Sequence, residues 1–120
     1  PFWKSMAAAA HEANLRSERF WYLAAESGGA LIGYIAMRDT THLFNLFVHP
    51  NWHRQGVARA LWKHALERAT RLQSTKVTVN ASLNAVPFYL SLGFEVAGST
   101  VQQHGITFIP MQFTAAPNAA

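Results

Sequence analysis

The chain has 120 residues, half of them hydrophobic and only 13% charged, which suits one packed domain over 1–120 and excludes intrinsic disorder. It has no cysteine, so disulfides and thiol nucleophiles play no part, and no apolar run nears the about 20 residues that cross a bilayer. A net charge of +4 favours an anionic ligand, but no basic stripe with a reading helix or stacking platform marks a nucleic-acid binder.

These totals lead us to expect a cytoplasmic protein with neither a membrane nor a nucleic acid as partner. The chain opens on Pro1, and its first residues read as the inside of a longer sequence. Met6 to Arg16 is alanine-rich, with Ser5 placed to cap it, and predicts a short opening helix. Phe20 to Glu26 and Ala30 to Arg38 are strand-length runs joined by Gly28-Gly29, a hairpin signal because tight primed turns need positive φ. Past Asp39-Thr40-Thr41, His42 to Val48 predicts a third strand, so apolar that both faces read as buried.

Pro50 ends that strand. Gly56 then precedes apolar residues at Val57, Ala60, Leu61, Ala65, Ala69 and Leu72, a helical spacing that leaves Arg59, Lys63 and Glu67 on the other face. Lys76 to Val79 predicts a fourth strand, and a short helix is expected within Leu83 to Leu92, closed by Gly93. Phe94 to Ser99 and Ile106 to Phe113 read as the last strands, with a turn near His104-Gly105, before a loose tail over 114–120. The order is that of an α/β (α+β) domain with a mixed, mostly antiparallel sheet flanked by helices. Such a fold names no function by itself.

The segment from Leu43 to Leu61 carries the most chemistry. A buried strand, a tight polar loop, Gly56 and a helix start follow one another there. The first N–H groups of a helix lack internal partners, and the helix dipole adds partial positive charge. Gly56 and the small Ala58 let an anion approach that backbone, and Arg54 and Arg59 add charge beside it. An ordinary strand-to-helix connection also explains such a glycine, so the loop alone leaves both readings open. Neither the nucleotidase phosphate loop nor the three-glycine dinucleotide fingerprint is present.

His53-Arg54-Gln55-Gly56-Val57-Ala58 resembles the Gln/Arg-x-x-Gly-x-Gly/Ala signature of the GNAT (Gcn5-related N-acetyltransferase) superfamily, with His53 in place of the usual first residue. Leu46-Phe47-Val48-x-Pro50 resembles the strand before it, and Ser82 to Phe94 resembles the family's Asn-x-x-Ala-x-x-x-Tyr-x-x-x-Gly-Phe helix. Gly105-Ile106-x-Phe108-x-Pro110-Met111 resembles the closing strand of small bacterial members. The likeness runs from about Phe20 to Phe113, and it implies that the family's first strand and first helix are missing or cut short here.

The resemblance implies a single acyl-CoA N-acyltransferase domain that moves an acetyl group from acetyl-CoA to an amine acceptor. It implies that Leu46, Phe47 and Val48 pair with the pantetheine arm, and that His53, Arg54, Gln55, Gly56, Val57, Ala58 and Arg59 hold the phosphates. Ser82 sits where the family often has asparagine, with Asn84 and Phe88 beside it on the cofactor side. Tyr89 falls on the tyrosine that protonates the leaving thiolate, and His42 on a strand position that supplies a base in some members. Tyr89 also reads as a core tyrosine, His42 as a solvent-facing strand end, and Asn45 as a holder of water. The histidines and carboxylates show no metal-ligand spacing, so no metal is expected. Members are often homodimers, which extends the expectation to this chain. A CoA-binding sensor without turnover and a basic binding module are the rival readings.

Overall fold

The computed structural model describes residues 5–11 and 20–115. Its first element is a strand, β1 (Ser5–His11), in unbroken antiparallel register with β2 (Phe20–Ser27), from Ser5 opposite Glu26 to His11 opposite Phe20. The helix expected over Met6 to Arg16 is thus a strand as far as His11, and residues 12–16 lie outside those described. Alanine's helical preference amounts to a few tenths of a kcal/mol per residue. Seven residues cannot hold a helix alone, whereas pairing satisfies the backbone along the edge of β2. The sheet therefore opens on a strand ahead of Phe20, where the sequence predicts a helix.

β2 turns into β3 (Ala30–Arg38) through Gly28 and Gly29, both at positive φ (59° and 84°), as the hairpin signal requires. β3 pairs antiparallel with β4 (His42–Val48), and the register slips so that Phe44 is the extra residue of a bulge. Helix α1 (Val57–Arg71) crosses over to β5 (Lys76–Ser82), which is parallel to β4. A 3₁₀ turn at Leu83–Ala85 leads into α2 (Val86–Leu92), and β6 (Glu95–Val96), β7 (Val101–Gln103) and β8 (Ile106–Thr114) complete the chain. The eight strands form one sheet in the order β1-β2-β3-β4-β5-β8-β6, with β7 also on β8. β4–β5 is its parallel pairing and the other pairings are antiparallel. Phe94 to Ser99, expected to be a full strand, pairs only at Glu95 and Val96, and the short β7 was not foreseen.

The core lies between α1 and one face of the sheet. Val57, Leu61, Trp62, Ala65 and Ala69 are the buried stripe of α1, against Leu23, Ile35, Met37 and Leu43 from three strands. Leu72 is not part of that stripe: it caps the helix and is exposed. Trp62, Phe94 and Phe113 form an aromatic cluster with ring centroids 5.0–5.6 Å apart, and Tyr89 joins it 5.3 Å from Phe94. Gly93, at φ 103°, ends α2 in the left-handed conformation, and the N–H of Phe94 bonds back to the carbonyl of Tyr89 at 3.0 Å.

β4 is not buried on both faces as its composition suggests. Leu43 is, but Phe44 and Phe47 are 55% and 44% exposed. β4 and β5 pair only at His42–Thr78 and Leu43–Val79, so beyond Leu43 the strand loses its parallel neighbour. No helix among the described residues covers the Phe44 and Phe47 side.

Candidate active site

Where β4 diverges from β5, a cleft of about 980 Å³ opens among the described residues. Its walls are the free end of β4, the loop into α1, and the start of α2. The N–H of His49 bonds to the carbonyl of Ile32 at 2.7 Å, on the β3 side. Antiparallel alternation then turns the backbone groups of Phe47 towards β3, and those of Leu46 and Val48 away from it into the gap. Leu46 and Val48 line the cleft, whereas the ring of Phe47 packs on Tyr34, centroids 5.9 Å apart. The cleft thus presents the polar edge of a strand with no strand beside it.

The loop starts with a 3₁₀ turn at Pro50–Trp52. Arg54 and Gly56 then take positive φ, 64° and 83°, bracketing Gln55. A side chain at Gly56 meets nothing within 4 Å, so its backbone conformation is what calls for glycine. Gly56 is also the cap of α1, its carbonyl accepting the first helical bond from Ala60 at 3.0 Å. The N–H groups of Val57 and Ala58 are left without helical partners, and no acidic residue occupies the first turn. Arg54 and Arg59 stand on the same wall, and no carboxylate lines the cleft. Unpartnered amides at a helix start, with two cations and no carboxylate nearby, are the arrangement that attracts anions. The cleft's volume is at the upper end for ligand pockets.

His53 lies on the cleft, and its Nε2 is 2.8 Å from the backbone carbonyl of Val48. Gln55 is not on the cleft wall: its side chain donates to the carbonyl of Asn51 at 3.4 Å. Arg59 donates to Ser91 Oγ at 3.3 Å, and Ser91 in turn donates to the carbonyl of Phe88 at 2.6 Å, which ties α1 to α2 across the mouth. Asn84, Phe88 and Tyr89 line the opposite wall. Ser82 precedes the 3₁₀ turn without a capping bond and does not reach the cleft.

Tyr89 is 7% exposed, and burial pushes its phenol up to about 12. Its hydroxyl has no hydrogen-bond partner among the described residues, and none of their buried polar side-chain atoms is left unsatisfied. The hydroxyl therefore opens on the cleft that the residue lines. His42 is placed differently, at the fork where β4 and β5 part, and does not line the cleft. Thr78 donates its hydroxyl proton to the carbonyl of Thr41 (3.2 Å) and so accepts from His42 Nδ1–H at 2.8 Å. That fixes the tautomer with the lone pair on Nε2. Desolvation first, and then the charge of Arg38, hold the imidazole below its usual pKa. Asn45 donates to the Tyr34 hydroxyl at 2.9 Å.

Trp52, Ala85 and Pro87 also line the cleft and were given no role from the sequence. Trp52 sits inside the glycine loop, and its place between Pro50 and His53 was the available signal. Among the described residues no group of three or more His, Asp or Glu side chains could hold a metal ion, and no helix is long and apolar enough to cross a membrane.

A family model described as an acetyltransferase (GNAT) domain matches residues 1–115. N-acetyltransferase 8F1 of Mus musculus is 33% identical over 97 residues, covering 71% of this chain and 43% of the relative. Among solved structures, a GCN5-related N-acetyltransferase from Rhodopseudomonas palustris matches with a TM-score of 0.73 at 25% identity, over 85% of this chain and 64% of that one. A GNAT family acetyltransferase from Elizabethkingia anophelis with acetyl-CoA bound has the same fold, with a TM-score of 0.68 at 14% identity over 91% and 97% of the two chains. The chain thus spans less than half the length of the mouse relative and under two thirds of the R. palustris protein.

Proposed function

Starting from the chain's membership of the GNAT acetyltransferase family, we propose that it transfers an acetyl group from acetyl-CoA directly to a primary amine. The observation that carries this reading is one cleft lined both by the Gly56 anion loop and by the buried, uncharged phenol of Tyr89. The N–H groups of Val57 and Ala58, with Arg54 and Arg59, hold the phosphates. Leu46 and the N–H of Val48 offer free backbone groups to the pantetheine arm, and an N–H of that edge polarises the thioester carbonyl.

The amine nitrogen attacks the carbonyl carbon, the C–S bond breaks, and the sulfur leaves with the bonding pair. Tyr89 gives its proton to that sulfur. His42, with its Nε2 lone pair free of the Thr78 bond, accepts the proton lost by the amine through intervening water, and Tyr89 is reprotonated from solvent. Holding both reactants at the fork supplies much of the acceleration. A cytoplasmic location and a homodimer belong to the same proposal.

The test is the melting temperature of the purified chain with acetyl-CoA, CoA and ATP as separate ligands, followed by thiol release in the presence of an amine panel. A rise of several degrees selective for CoA, with amine-dependent thiol release, is expected. Binding without release would favour a non-catalytic CoA sensor. A folded sample that no ligand stabilises would remove the acetyl-CoA reading.

A further inference from the structure

We propose that His53 is a positioning residue for the nucleotide end of acetyl-CoA: it latches the anion loop to the strand through the Val48 carbonyl and is not itself a phosphate ligand. This rests on the use of acetyl-CoA proposed above.

A carbonyl oxygen only accepts, so the 2.8 Å contact is a donation from His53 Nε2–H. The acceptor belongs to the backbone edge that β5 leaves unpaired, since the neighbouring His49 N–H is turned to Ile32 on the β3 side. His53 therefore satisfies a strand carbonyl and fixes the loop at one stroke.

The loop needs such a tether. Trp52 packs, half-buried, against the core at the start of the loop, but His53 to Gly56 are exposed, so apolar packing does not hold the segment that carries the positive-φ residues. The bonds from Asn51 N–H to His49 Nδ1 (3.2 Å) and from Gln55 to the Asn51 carbonyl (3.4 Å) stay within the loop. His53 reaches back five residues, to the strand. It also immediately precedes Arg54 and Gly56, whose positive φ values aim the loop's amides. Without the latch those residues would have to be ordered when the phosphates bind, and affinity would fall by that ordering cost.

The chain and its His53→Phe and His53→Gln variants are titrated calorimetrically with CoA and with pantetheine, which lacks the pyrophosphate and nucleotide. The phenyl ring keeps bulk and removes the donor, while the Gln amide restores an N–H of similar reach. His53→Phe should weaken CoA by about fivefold, the worth of one hydrogen bond, while its melting temperature and pantetheine affinity stay with the wild type. His53→Gln should recover CoA binding to within about twofold. Unchanged CoA affinity in His53→Phe overturns the latch. So does a Gln variant as weak as Phe, which would make the imidazole a ligand, or an equal loss for pantetheine, which would make the role merely structural. Wild-type protein that binds no CoA overturns the acetyl-CoA reading and this proposal with it.

Discussion

A β-carbon built on Gly33 would stand 2.8 Å from the carbonyl oxygen of Phe47 and 3.3 Å from Cα of Val48. β3 and β4 approach closely at this point because Gly33 has no side chain, and the stretch of β4 held there is the wall of the cleft. Both obstructing atoms are backbone, so a methyl group cannot be accommodated by turning a side chain. Gly33→Ala should cost about 1–3 kcal/mol by overpacking and move Val48. Chemical denaturation and CoA titration check this, and the expected result is a loss in both.

Gly56→Ala acts by another route. Nothing lies within 4 Å of the added methyl, but φ is 83°, a region that costs a residue with a β-carbon about 1–2 kcal/mol. The loop can keep the strain or relax and lose the aim of its amides. Weaker CoA binding, with no change in the far-ultraviolet spectrum, is the expected outcome.

Tyr89→Phe should lower turnover by at least about tenfold while leaving CoA affinity nearly unchanged, because only the proton donor is removed. Undiminished turnover would take Tyr89 out of the mechanism. The raised phenol also predicts a stability difference between the two proteins. A pKa higher in the folded than in the unfolded chain means that the native state binds the proton more tightly, so stability falls as pH rises from about 10 to about 12. Urea midpoints across that window should fall more steeply for the wild type than for Tyr89→Phe.

Burial and Arg38 both lower the His42 pKa below 6.5. If this imidazole is the base, the rate should climb with pH through an inflection below 6.5 and stay level above it. His42→Ala should lower the plateau and erase that inflection. Thr78→Val, which removes the acceptor for Nδ1–H, should weaken the same limb. A pH–rate profile that survives His42→Ala would assign the proton to another group.

The turns and α1 were legible because their signals are local: Gly28-Gly29, Gly93 and His104-Gly105 all adopt positive φ, and the Val57–Ala69 stripe faces the core. What sequence reading missed depended on partners far along the chain. β1 is a strand because β2 offers it an edge, which its alanines do not announce. The outer face of β4 is open because no helix among the described residues covers it, although its composition is that of a buried strand. Of the candidate site, two motifs could be read in the sequence, the glycine loop and the tyrosine helix, and residues of both line one cleft. The place of His42 at the fork, and the bond of His53 to a carbonyl five residues earlier, belong to the tertiary arrangement.

The parting of β4 from β5 has a consequence for amide exchange. Leu46 and Val48 sit in a strand near the middle of an eight-stranded sheet, where slow exchange is the ordinary expectation. Their N–H groups face the gap, so they should exchange with deuterium as quickly as those of an outermost strand, beside slow neighbours at Asn45 and Phe47. A pantetheine chain lying in the gap would act as a ninth, non-peptide strand and slow Leu46 and Val48 selectively. Exchange at those two amides, with and without CoA, would report on occupancy of the site before any acceptor amine is known.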